Sequence, residues 1–151
     1  MIRPTKPLLA ALALGLFAAI AQAQTTPAGL WKTIDDGSKK EKSLIRIVET
    51  GGVLSGKLEK LLDAADKPES VCDKCSDERK DKPLVGMTLI KGVTHSESDK
   101  DRWDGGEILD PNNGKTYKVR LTPGDGGRTM AVRGYIGAPL LGRTQTWQRV
   151  D

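Results

Sequence analysis

Short runs of apolar and β-branched residues, separated by Gly, Pro and Asn, fill the chain after residue 24. No long stretch repeats at helical spacing, so the pattern predicts an all-β protein. Alternation supports this, because Tyr117, Val119 and Leu121 would face one side of a strand while Lys118 and Arg120 face the other. The predicted strands are residues 29–34, 43–50, 53–61, 84–93, 102–109, 115–122, 128–136 and 140–150.

Most connections between the predicted strands are short and rich in turn residues. The Gly51-Gly52 pair supplies the positive φ that a tight hairpin requires, and residues 110–114 and 123–127 hold further Pro, Asn, Asp and Gly. Such short turns join antiparallel neighbours. Eight strands in this order leave two exposed edges unless the first and last strands pair. We therefore predict an eight-stranded antiparallel up-and-down barrel, with a two-sheet sandwich as the alternative.

One predicted connection, residues 63–82, is much longer than the others. It contains seven acidic and five basic residues, Pro68 and both cysteines of the chain. Long loops without regular structure are uncommon in compact domains and tend to be either functional or disordered. This charged segment is the first place to search for a feature specific to the protein.

The amino-terminal residues have the features of an export signal. Two basic residues precede an uncharged apolar stretch, residues 8–21, and Ala21-Gln22-Ala23 has the small-x-small pattern of a cleavage site. The apolar stretch is shorter than the roughly 20 residues of a membrane span. We expect a signal peptide at residues 1–23 and a single β-barrel domain at residues 24–151. The protein would be periplasmic or secreted, with no membrane span.

The number and distribution of charged residues limit the kinds of partner that the protein is expected to bind. Without residues 1–23 the chain has 22 basic and 20 acidic residues, and the basic ones form no obvious cluster along the sequence. Proteins that bind nucleic acid usually present a basic stripe or patch. We therefore expect no nucleic acid partner.

Cys72 and Cys75 are the two cysteines of the chain, and thiols tend to pair in an oxidising compartment. The CxxC spacing also occurs in redox dithiols, but those lie at a helix N-terminus within a βαβ unit. Here the acidic neighbours Asp73, Asp77 and Glu78 would oppose thiolate formation. We predict a structural disulfide, with thiol–disulfide chemistry as the alternative.

Candidate metal ligands and catalytic groups are few. A zinc site would need two soft ligands besides the cysteines, and the chain has one histidine, His95, in a charged turn. That histidine completes no recognisable Ser-His-acid set, and no Gly-x-Ser-x-Gly motif is present. We expect no metal, no cofactor and no catalytic residues.

The first and last predicted strands carry residues that could meet at one end of the barrel. Gly29 and Trp31 begin the first strand, and Arg149 ends the last one. If the barrel closes, the Arg149 guanidinium can stack on the Trp31 ring in a cation–π contact of about 0.5–2 kcal/mol and plug that end. The alternative is that Trp31 and Trp147 are unrelated core residues.

The number of aromatic side chains affects whether the interior of the barrel can be filled. An eight-stranded barrel is either filled by side chains or holds one small ligand, and residues 24–151 contain three Trp, two Tyr and no Phe. If Trp147 faces inward, Gln145 and Arg143 share its face, and an inward arginine suits an anionic head group. Arg143, Gln145 and Trp147 are the predicted ligand-binding residues for a small amphipathic molecule such as a fatty acid.

Several short motifs occur in a characteristic order along the chain. They are Gly29-x-Trp31, Gly52 to Gly56, Pro83-Leu84-x-Gly86, Trp103-x-Gly105-Gly106, Asp110-Pro111, Gly114-Lys115-x-Tyr117, Arg133-Gly134-Tyr135-x-Gly137 and Gly142-Arg143-Thr144-Gln145-x-Trp147. The first motif resembles the Gly-x-Trp of lipocalin-like barrels, and Arg149 lies where those barrels place a closing arginine. The whole series resembles the exported bacterial domain of unknown function 2147 family. The resemblance implies a lipocalin-like barrel outside the cytoplasm and supplies no catalytic residue.

Three functions fit these features. The favoured one is a non-catalytic binding module for a small amphipathic or lipid-like ligand. The second is a filled barrel that acts through its surface, in a protein interaction or in envelope maintenance. The third is a thiol–disulfide protein centred on Cys72 and Cys75.

Overall fold

The computed structural model describes residues 25–151, so the signal peptide predicted at residues 1–23 lies outside the described residues. Eight strands form a closed antiparallel barrel in which each strand pairs with its neighbours in sequence. The strands are β1 (Gly29–Ile34), β2 (Glu41–Thr50), β3 (Val53–Leu61), β4 (Thr88–His95), β5 (Trp103–Asp110), β6 (Lys115–Gly124), β7 (Thr129–Tyr135) and β8 (Arg143–Arg149). Because β1 pairs with β8, with Trp31 opposite Arg149, the predicted up-and-down barrel is confirmed and the sandwich is excluded.

The predicted turn residues form the tight connections. Gly51 and Gly52 join β2 to β3 with φ values of 58° and 80°, which residues with a side chain rarely adopt. The turn from β5 to β6 is closed by the Gly114 N–H, which donates to the carbonyl of Asp110 at 2.8 Å. A short 3₁₀ turn, Asp125–Gly127, joins β6 to β7.

Two predicted strands begin more than one residue too early. β4 starts at Thr88 rather than at residue 84, because residues 84–87 form a turn in which the Met87 N–H donates to the Leu84 carbonyl. β8 starts at Arg143 rather than at residue 140, because Pro139–Leu141 forms a 3₁₀ turn. The apolar residues just before β4 and β8 therefore belong to turns and not to strands.

The half of the barrel interior nearest the start of β1 and the end of β8 is filled with side chains. Strand alternation turns these residues inward, and each is less than a tenth exposed: Trp31, Ile47, Leu54, Val93, Trp103, Leu121, Met130 and Trp147. Residues 25–28, the carboxyl terminus, the β2–β3 turn and the β6–β7 turn lie at this end, which we call the closed end. The connections that follow β1, β3, β5 and β7 lie at the other end, which we call the open end.

The charged segment, residues 63–82, is ordered by its own hydrogen bonds and lies at the open end. Val71 and Pro83 form an isolated β-bridge, and the Cys72 N–H donates to the Lys82 carbonyl at 2.9 Å. A Cβ at Gly114 would overlap the carbonyl of Lys74, so the segment packs directly on the β5–β6 turn. We call this segment the strap.

Candidate ligand-binding site

The closed end of the barrel is sealed by Trp31 and Arg149. The ring of Trp31 is fully buried, and the guanidinium carbon of Arg149 lies 4.3 Å from its centre. The same guanidinium donates at 2.6–2.8 Å to three backbone carbonyls, those of Thr26, Ala28 and Gly127. One side chain therefore joins the residues before β1, the β6–β7 turn and the indole ring.

Gly29 provides the space for this seal. Its φ is +139°, and a Cβ at this position would overlap Nη1 of Arg149. The indole Nε1 of Trp31 donates to the carbonyl of Pro27 at 2.7 Å, so the polar atom of the buried ring is satisfied, as buried tryptophans usually require. The structure thus brings Gly29, Trp31 and Arg149 together at one end.

The open end leads into a cavity of about 1070 Å³. Residues from the strap and from the connections after β1, β5 and β7 surround its mouth. The apolar part of its wall consists mainly of Ile45, Leu58, Leu89, Ile108, Val132 and Trp147. The barrel is therefore neither filled throughout nor open at both ends.

Three pairs of polar residues in the cavity wall are hydrogen-bonded to each other. The hydroxyls of Thr33 and Ser43 lie 2.8 Å apart in a buried hydrogen bond. The Trp147 Nε1 donates to Oε1 of Gln145 at 3.3 Å, and the Tyr117 hydroxyl accepts a hydrogen bond from Asn113 at 2.8 Å. With these groups paired, the wall favours contact with an apolar molecule.

The three predicted ligand-binding residues all line the cavity, at different depths. Arg143 begins β8 at the mouth, Gln145 follows, and the buried Trp147 lies at the floor. Trp147 is four residue steps along the strand from Arg143, which corresponds to about 13 Å. The Arg143 side chain is 71% exposed and its Nε lies 3.6 Å from Oδ2 of Asp36. The arginine therefore lies at the entrance rather than deep inside.

A second cation at the mouth, Lys42, had no predicted role. Its Nζ lies 2.5 Å from Oδ2 of Asp63 and 3.9 Å from Oδ2 of Asp66. The hydrogen bond between Lys42 and Asp63 raises the pKa of the lysine and lowers the pKa of the aspartate. The mouth thus carries charged residues of both signs, while the floor is apolar. Sequence alone offered no signal for this pair, because its partners are 21 residues apart.

The predicted disulfide between Cys72 and Cys75 is present within the strap. Both residues are almost completely buried, at 0% and 3% exposure, and belong to the same apolar cluster as the barrel core. Thiol–disulfide exchange needs a sulfur that an attacking thiolate can reach. Their burial favours a structural role, in which the disulfide fixes the part of the strap that borders the cavity mouth.

Replacing both cysteines with Ala is expected to loosen the strap more than the barrel. The bond closes a very short ring, so the entropy model assigns it only roughly 2 kcal/mol of global stability. Hydrogen exchange should therefore quicken for residues 71–84, while the β2–β3 hairpin, which lies away from the strap, serves as the internal control. Equal loss of protection in both regions would instead mean that the disulfide holds the barrel itself together.

Other candidate chemistry is limited among residues 25–151. No group of three or more His, Cys, Asp or Glu side chains is placed there to hold a metal ion. His95 packs against Trp103, with ring centres 4.7 Å apart, and its Nε2 lies 2.7 Å from the Lys100 carbonyl oxygen. In the same range, no helix is long and apolar enough to cross a lipid bilayer.

A closed eight-stranded barrel with one sealed end and one open cavity is a lipocalin-like barrel. Protein HP1028 from the human pathogen Helicobacter pylori, which is described as belonging to the lipocalin family, is similar in structure. The TM-score is 0.70 and the identity 19%, with 84% of each chain covered. At this identity the likeness concerns the fold alone.

The chain belongs to the family described as uncharacterized protein conserved in bacteria (DUF2147), which matches residues 29–149. The match extends from the glycine before the buried Trp31 to the arginine that stacks on it. The family resemblance seen in the ordered sequence motifs is thereby confirmed. A search of curated proteins gives no match.

Proposed function

We propose that this protein binds one small amphipathic molecule in the open half of its barrel. The observation that supports this most directly is the one-ended cavity of about 1070 Å³, which is comparable to the roughly 300–1,000 Å³ of ligand pockets. Trp147 forms the apolar floor, and the charged residues Arg143 and Lys42 lie at the mouth. An apolar tail would enter first and leave the polar group at the entrance.

Arg143 at the mouth is the residue that suits an anionic head group. The 3.6 Å ion pair between Arg143 and Asp36 joins two side chains that are 71% and 42% exposed. Exposed pairs of this kind are worth only about 0–1 kcal/mol. An incoming carboxylate or phosphate can therefore take the place of Asp36 at Arg143 at little cost, and a fatty acid has the matching chemistry.

We also propose that the protein works by binding rather than by catalysis, and outside the cytoplasm. Three pairs of polar groups in the cavity wall are hydrogen-bonded to each other, as in Thr33 with Ser43, which favours holding an apolar chain beside them. The buried Cys72–Cys75 disulfide suits an oxidising compartment. The export features of residues 1–23 support the same location.

Laurate is expected to bind more tightly than dodecanol, because only laurate carries a charge for Arg143. Titration followed by tryptophan fluorescence measures both affinities, since Trp147 lies at the cavity floor. Arg143→Gln should weaken laurate binding about twofold to fivefold, in the range of an exposed charge contact, and leave dodecanol binding unchanged. The matched control is Arg128→Gln, because Arg128 is 77% exposed and lies at the closed end.

Three results would separate the alternatives. Equal loss of laurate affinity in the Arg143 and Arg128 variants would place the head group elsewhere. Equal affinity for laurate and dodecanol would mean that the head group is not recognised by charge. If neither compound binds and native mass spectrometry finds no bound lipid on the purified protein, a barrel that acts through its surface becomes the better explanation.

A further inference from the structure

The connection between β7 and β8 displays three large apolar side chains to solvent. Ile136, Leu140 and Leu141 are 63%, 87% and 80% exposed, and we call these three residues the apolar tip. The other large apolar residues that are exposed in residues 25–151 are valines, none more than half exposed. Single exposed apolar residues are common, whereas a group concentrated on one projection usually marks an interaction site.

The tip is held in its projecting conformation by Arg133. Its guanidinium donates to the Pro139 carbonyl at 2.8 Å, to the Leu140 carbonyl at 3.2 Å and to the Thr144 hydroxyl at 2.8 Å. These bonds fix the backbone of the 3₁₀ turn while its leucine side chains stay outside. The exposure of the leucines is therefore built into the fold.

The tip is continuous with the cavity mouth. Ile136 and Leu141 line the entrance, and Arg143 follows two residues after Leu141. A partner that covers the apolar tip therefore also faces the opening of the cavity.

Basic side chains lie beside the tip on β6, while the mouth itself carries charged residues of both signs. Residues 111–149 contain seven basic residues and one acidic residue, Asp125. Asp125 lies at the closed end, and so do Arg128 and Arg149. Lys115 begins β6 at the open end, and Lys118 lies opposite Tyr135 on β7. Glu107, which lies opposite Lys118 on β5, is paired with Lys91 at 3.0 Å.

We propose that the apolar tip and the lysines beside it dock the open end of the barrel onto an anionic lipid bilayer. Apolar side chains enter the boundary between head groups and acyl chains, while nearby cations are attracted by anionic lipids. A protein partner would need a surface of roughly 800 Å², which is more than three side chains at the end of a loop provide. Docking in this orientation places the cavity mouth against the bilayer. This docking does not require that a ligand occupy the cavity.

Co-sedimentation with vesicles tests this docking. The purified protein is mixed at low salt with vesicles of equal parts phosphatidylglycerol and phosphatidylcholine, or of phosphatidylcholine alone. The protein should partition at least tenfold more strongly onto the anionic vesicles, and less as salt is raised. Lys115→Gln with Lys118→Gln should remove most of this preference, because each cation near the surface contributes to the attraction.

A matched pair of double variants isolates the apolar tip. Leu140→Ser with Leu141→Ser should lower partitioning onto anionic vesicles about tenfold, since buried apolar groups drive insertion. Val48→Ser with Val53→Ser is the control, because both valines are exposed beside the β2–β3 turn at the closed end. Circular dichroism and urea unfolding show that the tip variant is folded.

Several results would overturn the proposal. One is unchanged partitioning of the folded tip variant, and another is equal partitioning onto both kinds of vesicle at every salt concentration. A third is the absence of partitioning onto either kind. Sedimentation velocity without vesicles supplies a fourth, because a dimer that Leu140→Ser with Leu141→Ser dissociates would identify a second copy of the chain as the occupant of the tip.

Discussion

Trp31→Ala is expected to lower the free energy of unfolding by about 3–5 kcal/mol, the usual cost of deleting a large buried aromatic side chain. The ring is fully buried, donates to the Pro27 carbonyl and supports the guanidinium of Arg149. Its removal leaves a cavity at the closed end and one unpaired carbonyl. Urea unfolding followed by circular dichroism measures the loss.

Arg149→Ala should cost less, about 2–3 kcal/mol, because it removes charge-assisted hydrogen bonds to three carbonyls. The two residues touch, so the double variant should be about 1 kcal/mol less destabilised than the sum of the single variants. Arg128→Ala is the control at the same end, where the exposed arginine only pairs with Asp125. Strictly additive costs would mean that the ring and the guanidinium do not stabilise each other.

The barrel could be predicted from the sequence because its determinants are local. Alternation along β6 places Val119 and Leu121 inward, and Gly51-Gly52 forces a tight hairpin, so each step follows from neighbouring residues. Closure then follows from the need to pair the two edge strands. The contact between Trp31 and Arg149 followed from closure, since it joins the first strand to the last.

The depth of a residue along the barrel axis could not be predicted in the same way. The same is true of contacts between residues that are far apart in the sequence. Alternation tells which face of β8 carries Arg143, but not that its position at the start of the strand puts it at the mouth. The strap is closed by contacts such as that between Val71 and Pro83, which leave no periodic signal. Leu140 and Leu141 were predicted as the start of a strand because an apolar pair looks the same in the sequence whether its side chains are buried or exposed to solvent.

Gly134→Leu is expected to reduce laurate affinity at least tenfold, because a leucine side chain would occupy the space that the ligand tail needs. Gly134 lines the cavity opposite Arg143 in the β7–β8 register. A Cβ there meets its nearest neighbour, Cβ of Tyr117, at 3.5 Å, an ordinary contact. The first carbon is therefore accommodated, and the rest of the side chain extends into the cavity. Fluorescence titration measures the affinity, and urea unfolding checks that the variant is folded.

Ala131→Leu is the matched control for this substitution, because Ala131 lies on the same strand and alternation turns it to the outer face. It adds a leucine to β7 without entering the cavity, so laurate affinity should stay within about twofold of the original, the change expected of a surface substitution. Gly134→Ala, which adds one methyl group, should fall between the two. If all three variants bind laurate as the unmodified protein does, the ligand does not enter the barrel. The amphipathic site would then lie on the outer surface, and the cavity would be a packing feature of a barrel filled only at its closed end.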